Sequence, residues 1–92
     1  MDASTNDEGA WNISIRFTED NERTSAVATL SAGERKLTAR GSARRNPVDP
    51  NLPQVGEDLA TARALSRLSH ELISDAVSRL EEVTHSPAGI HL

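Results

Sequence analysis

The chain has 92 residues, no cysteine and a formal net charge of −4. That length holds one domain near the lower limit of independent folding, the missing thiols exclude disulfides and thiolate metal sites, and no apolar run approaches the roughly 20 residues of a membrane helix. No charged-then-apolar leader opens the sequence, so it reads as a cytoplasmic protein.

The net charge hides a division. Residues 1–10 carry Asp2, Asp7 and Glu8. Residues 11–45 set seven Arg and Lys against four acids, and residues 46–92 set three Arg against seven acids. A basic middle therefore lies between two acidic ends, which the overall isoelectric point conceals.

Residues 1–10 are small, polar and acidic, and are expected to form a disordered tail ahead of a single domain over 11–92. From Trp11 to Thr18 the pattern alternates: Trp11, Ile13, Ile15 and Phe17 share one face, and Asn12, Ser14, Arg16 and Thr18 the other, which predicts a strand. After the turn-forming Glu19-Asp20-Asn21-Glu22 a second strand is expected over Arg23–Ser31. Its inward residues Thr24, Ala26, Ala28 and Leu30 are mostly small. Gly33 suits a tight turn, and Arg35–Arg44 forms the third strand, with Leu37, Ala39, Gly41 and Ala43 inward. Short links make the three strands an antiparallel meander. The inward Ala and Gly let a helix lie close to the sheet, and Gly41 permits a bulge or a close backbone approach.

Arg45 to Pro53 carries three prolines and reads as a stiff, extended link. A helix is then predicted from Gly56 to about Val83, with Glu57 and Asp58 in its first turn and Asp75–Arg79 as an i,i+4 pair. Leu59, Ala62, Leu65, Leu68, Leu72, Ala76, Leu80 and Val83 form the apolar stripe expected to dock on the sheet. Pro87 blocks continuation, and residues 90–92 would add a short strand or trail. The helix is about 28 residues, or ~42 Å at 1.5 Å per residue, longer than a strand of about eight residues at ~27 Å. It must overhang the sheet, bend near Ser66–Ser69, or pack on a second copy. The last is favoured, and with so small a core a homodimer is expected. The fold class is α+β: a three-stranded antiparallel meander followed by one long C-terminal helix on one sheet face.

Catalytic and metal motifs fail on inspection. His70-Glu71 begins like a zinc-protease helix, but Ser74 stands where the second ligand belongs. His85 and His91 have no identifiable co-ligands and, with His70, read as surface or capping residues. No Gly-x-Ser-x-Gly elbow or phosphate-cradling glycine loop occurs. No enzyme activity, cofactor, metal or small-molecule substrate is expected. The one constellation with chemistry is the sheet face opposite the helix. Arg16, Lys36, Arg40 and Arg44 line it, with Ser14, Thr29, Thr38 and Ser42 among them and Arg23 and Arg45 at its edges. Such a surface suits phosphates, although a solvated sheet face is ordinarily polar as well. There is no Tyr, and Trp11 and Phe17 point inward, so base stacking is not expected.

Gly41-Ser42-Ala43-Arg44-Arg45-Asn46-Pro47-Val48-Asp49 and Pro53-Gln54-Val55-Gly56-Glu57-Asp58-Leu59-Ala60-Thr61-Ala62-Arg63-Ala64-Leu65 form a specific pattern. Trp11-x-Ile13-x-Ile15, Arg23-Thr24 and Glu82-Val83-Thr84-His85-Ser86-Pro87 fit the same pattern. From Trp11 to Pro87 the chain resembles a family of short actinobacterial proteins of unknown function with a fold like the double-stranded-RNA-binding domain. Val48, where a smaller residue is usual, and Pro50 depart from the pattern. The resemblance implies dimers, an association of some members with hypoxia or dormancy, and a likeness to ribosome hibernation factors. It supplies no catalytic residues. The expected partners are a second copy and ribosomal or other structured RNA, bound through Arg16, Arg23, Lys36, Arg40, Arg44 and Arg45. The alternative is a dimeric protein-interaction module with no nucleic-acid role.

Overall fold

The computed structural model describes residues 9–44 and 52–84. Strands β1 (Asn12–Glu19), β2 (Arg23–Ala32) and β3 (Arg35–Arg44) form an antiparallel sheet in the order β1-β2-β3, and the helix α1 (Pro53–Thr84) packs on one face of it. The expected meander and helix are thus present. Residues 1–8 of the expected tail, the 45–51 link with Arg45, and the end bearing His85 and His91 lie outside the described residues.

Both turns are built by local chemistry. Asp20 Oδ1 accepts the N–H groups of Glu22 and Arg23, each at 2.8 Å, and the Asp20 N–H donates to the Arg23 carbonyl at 3.0 Å. Those two N–H groups hold the Asp20 carboxyl below the ordinary carboxylate range. The β2–β3 turn has Gly33 at φ +67°, the left-handed conformation that favours glycine.

Register stacks the inward residues in rows across the sheet: Ile13/Leu30/Leu37, Ile15/Ala28/Ala39, Phe17/Ala26/Gly41 and Glu19/Thr24/Ala43. The helix rests on the β2 and β3 parts of these rows. Ala26, Ala28, Leu30, Ala39 and Ala43 of the sheet are buried with Ala60, Ala64 and Leu68 of α1. At Gly41 the approach is backbone to backbone. A Cβ placed there would lie 2.3 Å from the Ala64 nitrogen and 2.5 Å from the Ala60 oxygen. Of the two options open to Gly41, close approach is the one realised; the β2–β3 register runs through it without a bulge.

This contact corrects the expected docking stripe, of which Leu68 and Leu72 alone dock. The buried line is Ala60, Ala64 and Leu68, with Leu72 half-buried beside it, while Leu59, Leu65, Leu80 and Val83 are exposed. One residue is ~100° of helix rotation, so moving from Leu59 to Ala60 turns a different side to the sheet. Only Ala fits above Gly41; a Leu there would force the two backbones apart. The helix also begins at Pro53, three residues earlier than predicted. Proline at the first helical position loses no bond it would otherwise make. Glu57 and Asp58 consequently lie beyond the first turn, which holds no acid.

The helix runs along the strands from Gly56, against the Thr24 side chain, to Asp75, which accepts from Arg35 at 2.6 Å. Arg79 pairs with the same carboxylate at 3.2 Å, as the i,i+4 spacing predicts, and the Arg35 guanidinium stands 5.4 Å from the Trp11 ring centre. At 32 residues the helix is ~48 Å long, and the part beyond Asp75 overhangs the sheet by ~13 Å. On the other side, β1 lies outside the helix footprint. Trp11, Ile13 and Phe17 face the helix side as expected, yet remain 57%, 50% and 44% exposed.

Candidate nucleic-acid interface

The face opposite α1 carries its polar residues in an ordered alternation. Across the three strands its rows read Asn12/Ser31/Lys36, Ser14/Thr29/Thr38, Arg16/Val27/Arg40, Thr18/Ser25/Ser42 and Arg23/Arg44. Rows with cations alternate with rows of hydroxyls. Two-residue spacing places neighbouring rows ~7 Å apart, so cationic rows recur every ~14 Å with donors between them. Arg16 and Arg40 are two strands apart, ~10 Å, with Val27 between.

Five of the six cations singled out from the sequence, Arg16, Arg23, Lys36, Arg40 and Arg44, are therefore brought together on one exposed face. Arg45 lies outside the described residues. Arg23 and Arg44 stand directly opposite each other. Arg44 also meets Glu22 at 4.0 Å, an exposed contact of little energetic weight. None of the strand residues on this face is acidic. The face can hold an array of phosphates by charge and hydroxyl donation. It offers no aromatic surface for a base.

Two further arginines extend the positive surface around the β3 edge. Arg63 Nη1 donates to the Ser42 carbonyl at 2.7 Å, and Arg67 Nη1 to the Arg40 carbonyl at 3.4 Å. Reading the strands alone missed them. Their signal was the i,i+4 pair lying three residues after Ala60 and Ala64, on the flank of the buried line.

Negative charge collects elsewhere. Glu57 approaches Glu19 at the β1–β2 hairpin end, on the helix side. Its carboxyl is held above the ordinary carboxylate range, first by a hydrogen bond shared with Glu19, then by burial and by the Glu19 and Asp58 charges. Among the described residues no three His, Asp or Glu gather as a metal site. His70 is exposed, its Nδ1 2.9 Å from the Ser66 carbonyl oxygen of its own helix. No described helix is long and apolar enough to cross a membrane.

The sequence profile of the Rv2632c-like family matches residues 9–89, a span holding the whole sheet and helix. The chain belongs to that family. Uncharacterized protein Rv2632c of Mycobacterium tuberculosis (strain ATCC 25618 / H37Rv) is 41% identical over 80 residues, covering 86% of this chain and 86% of that protein. Uncharacterized protein Mb1767 of Mycobacterium bovis is 40% identical over 78 residues, covering 85% of this chain and 83% of its own. The crystal structure of Rv2632c superposes with a TM-score of 0.75 at 40% identity, covering 85% of this chain and 93% of that one. The Rv2632c-like relatives thus share the fold with this chain, and their names assign no activity.

Proposed function

We propose that this protein is a non-enzymatic cytoplasmic factor that contacts ribosomal or other structured RNA through the outer face of its sheet. The observation that carries this reading is the emergence of Arg16, Arg23, Lys36, Arg40 and Arg44 on the helix-free face, interleaved with hydroxyls. Counterion release supplies the affinity, and hydroxyl contacts to phosphate supply orientation. With no exposed aromatic on that face, recognition is by backbone and shape, as for double-helical RNA. The resemblance to a double-stranded-RNA-binding fold and to hibernation factors gives the reading its setting, a cell in dormancy or oxygen limitation.

The test is binding of the full chain to a structured RNA and to purified ribosomes across a salt series. Binding is expected to weaken linearly on a log–log plot. Arg40→Glu with Arg44→Glu should lower affinity by at least about tenfold and reduce the salt slope by about 2. No binding at low salt, or binding indifferent to both reversals, removes the proposal.

A further inference from the structure

The basic residues of the chain are not equally available to an anion. Arg35 and Arg79 share the Asp75 carboxylate at 2.6 and 3.2 Å, and Arg44 meets Glu22 at 4.0 Å. Arg63 and Arg67 are held differently. Each lies on the exposed helix flank and gives one guanidinium N–H to a main-chain carbonyl of β3, Arg63 to Ser42 at 2.7 Å and Arg67 to Arg40 at 3.4 Å. A carbonyl is a dipole and leaves the positive charge in place, whereas a carboxylate cancels it. Among the described residues neither arginine has a carboxylate at ion-pair distance. A guanidinium has five N–H donors in a rigid fork, so one bond to a carbonyl fixes the direction of the others.

The two carbonyls are two residues apart on one strand, which spaces the guanidinium groups seated on them by ~7 Å. The side chains of Arg40 and Ser42 leave the same two positions on the outer face and are exposed. The main-chain oxygens at 40 and 42 thus hold cations at the β3 margin, while the side chains at 40 and 42 place a cation and a hydroxyl just beneath it. Three guanidinium groups and one hydroxyl border a single stretch of margin. Along the helix this positive flank ends at Glu71, one turn beyond Arg67.

We infer that this stretch anchors the polyanion: Arg63 and Arg67 take two successive phosphates of one RNA strand at the β3 margin, and Arg40 and Ser42 carry the contact onto the outer face. The inference rests on the RNA reading of that face and adds a direction to it, since the backbone crosses the margin of β3 as well as lying on the flat of the sheet. A guanidinium fork can give two parallel N–H bonds to one phosphate. Seating it beforehand removes the ordering cost that an unanchored side chain meets on binding. The same pair also covers edge carbonyls, which is a structural task. Salt dependence separates the two, because covering a carbonyl releases no counterions.

The experiment is titration of the full chain with a fluorescent RNA hairpin across a salt series. Four proteins are compared: the wild type, Arg63→Gln with Arg67→Gln, Arg63→Lys with Arg67→Lys, and Arg79→Gln. All three positions are exposed, so circular dichroism should not change. The Gln pair should lower affinity at least about tenfold and flatten the log–log slope by about 2. The Lys pair keeps the charge and loses the fork, so the slope should stay while affinity drops at least about threefold. Arg79→Gln, whose charge Asp75 already offsets, should leave the slope unchanged. If Arg40→Glu with Arg44→Glu weakens binding but the Gln pair keeps the wild-type slope, this inference falls alone. A Lys pair as flat as the Gln pair, or one with wild-type affinity, overturns it too. A wild type that binds no RNA at low salt removes the reading of the sheet face, and this inference with it.

Discussion

The β3 half of the sheet and the β1 half are woven from similar alternating strands, yet different forces hold them. Under the helix the inward residues are mostly small, Leu30 and Leu37 aside, and two backbones meet at Gly41. Beside the helix the inward residues are large, and Trp11, Ile13 and Phe17 stay half in water. Stability follows where the helix can come close, so the half with the larger apolar side chains is not the half that forms the core. On the sheet, large apolar side chains therefore mark the part left exposed beside the helix, and small ones mark where the helix comes closest.

The strongest way to break this contrast is at Gly41. Gly41→Ala puts a methyl into the Ala60–Ala64 backbone and is expected to cost about 3 kcal/mol or more, since overpacking of a rigid contact cannot be relieved by a rotamer change. Urea unfolding measures it; a loss below about 1 kcal/mol would mean the helix stands off the sheet. A smaller effect compares two truncations. Leu68→Ala, at a side chain only 2% exposed, should cost about 3 kcal/mol. Phe17→Ala, at a larger but half-exposed ring, should cost about 1 kcal/mol in dilute solution. The reverse order would place the core on β1.

The smallest effect is electrostatic. The Glu57 carboxyl titrates above its unfolded value, so the native state holds its proton more tightly than the unfolded chain does. Stability is thus lost as pH rises through the ordinary carboxylate value to the raised one, and the deficit persists at neutral pH. Glu57→Gln should raise Tm slightly at pH 7 and leave it unchanged below about pH 4. A lower Tm at pH 7 would show that Glu57 has a favourable partner.

Strand positions and faces were legible because β-branched and aromatic residues alternate with polar ones from Trp11 onward. That parity alone located five of the six proposed cations on one surface. The helix face was misread because hydropathy weights Leu above Ala. Two stripes coexist on the helix, and the richer one, through Leu59 and Leu65, is not the one that docks. The deciding information sat on another element, in Gly41 and its Ala neighbours, whose size admits only Ala60 and Ala64. The helix start was missed because Pro53 was grouped with the prolines before it, although proline is as much at home in a first helical turn. Arg63 and Arg67 escaped because their role depends on the β3 edge, which exists only once the sheet has formed.

Those two arginines have a consequence for growth. A sheet with both margins open can add copies without limit, as a fibre does. With guanidinium groups seated on the Arg40 and Ser42 carbonyls, a strand added at the β3 margin would have to displace them. The same positive charges that extend the basic surface thereby guard that margin against strand addition.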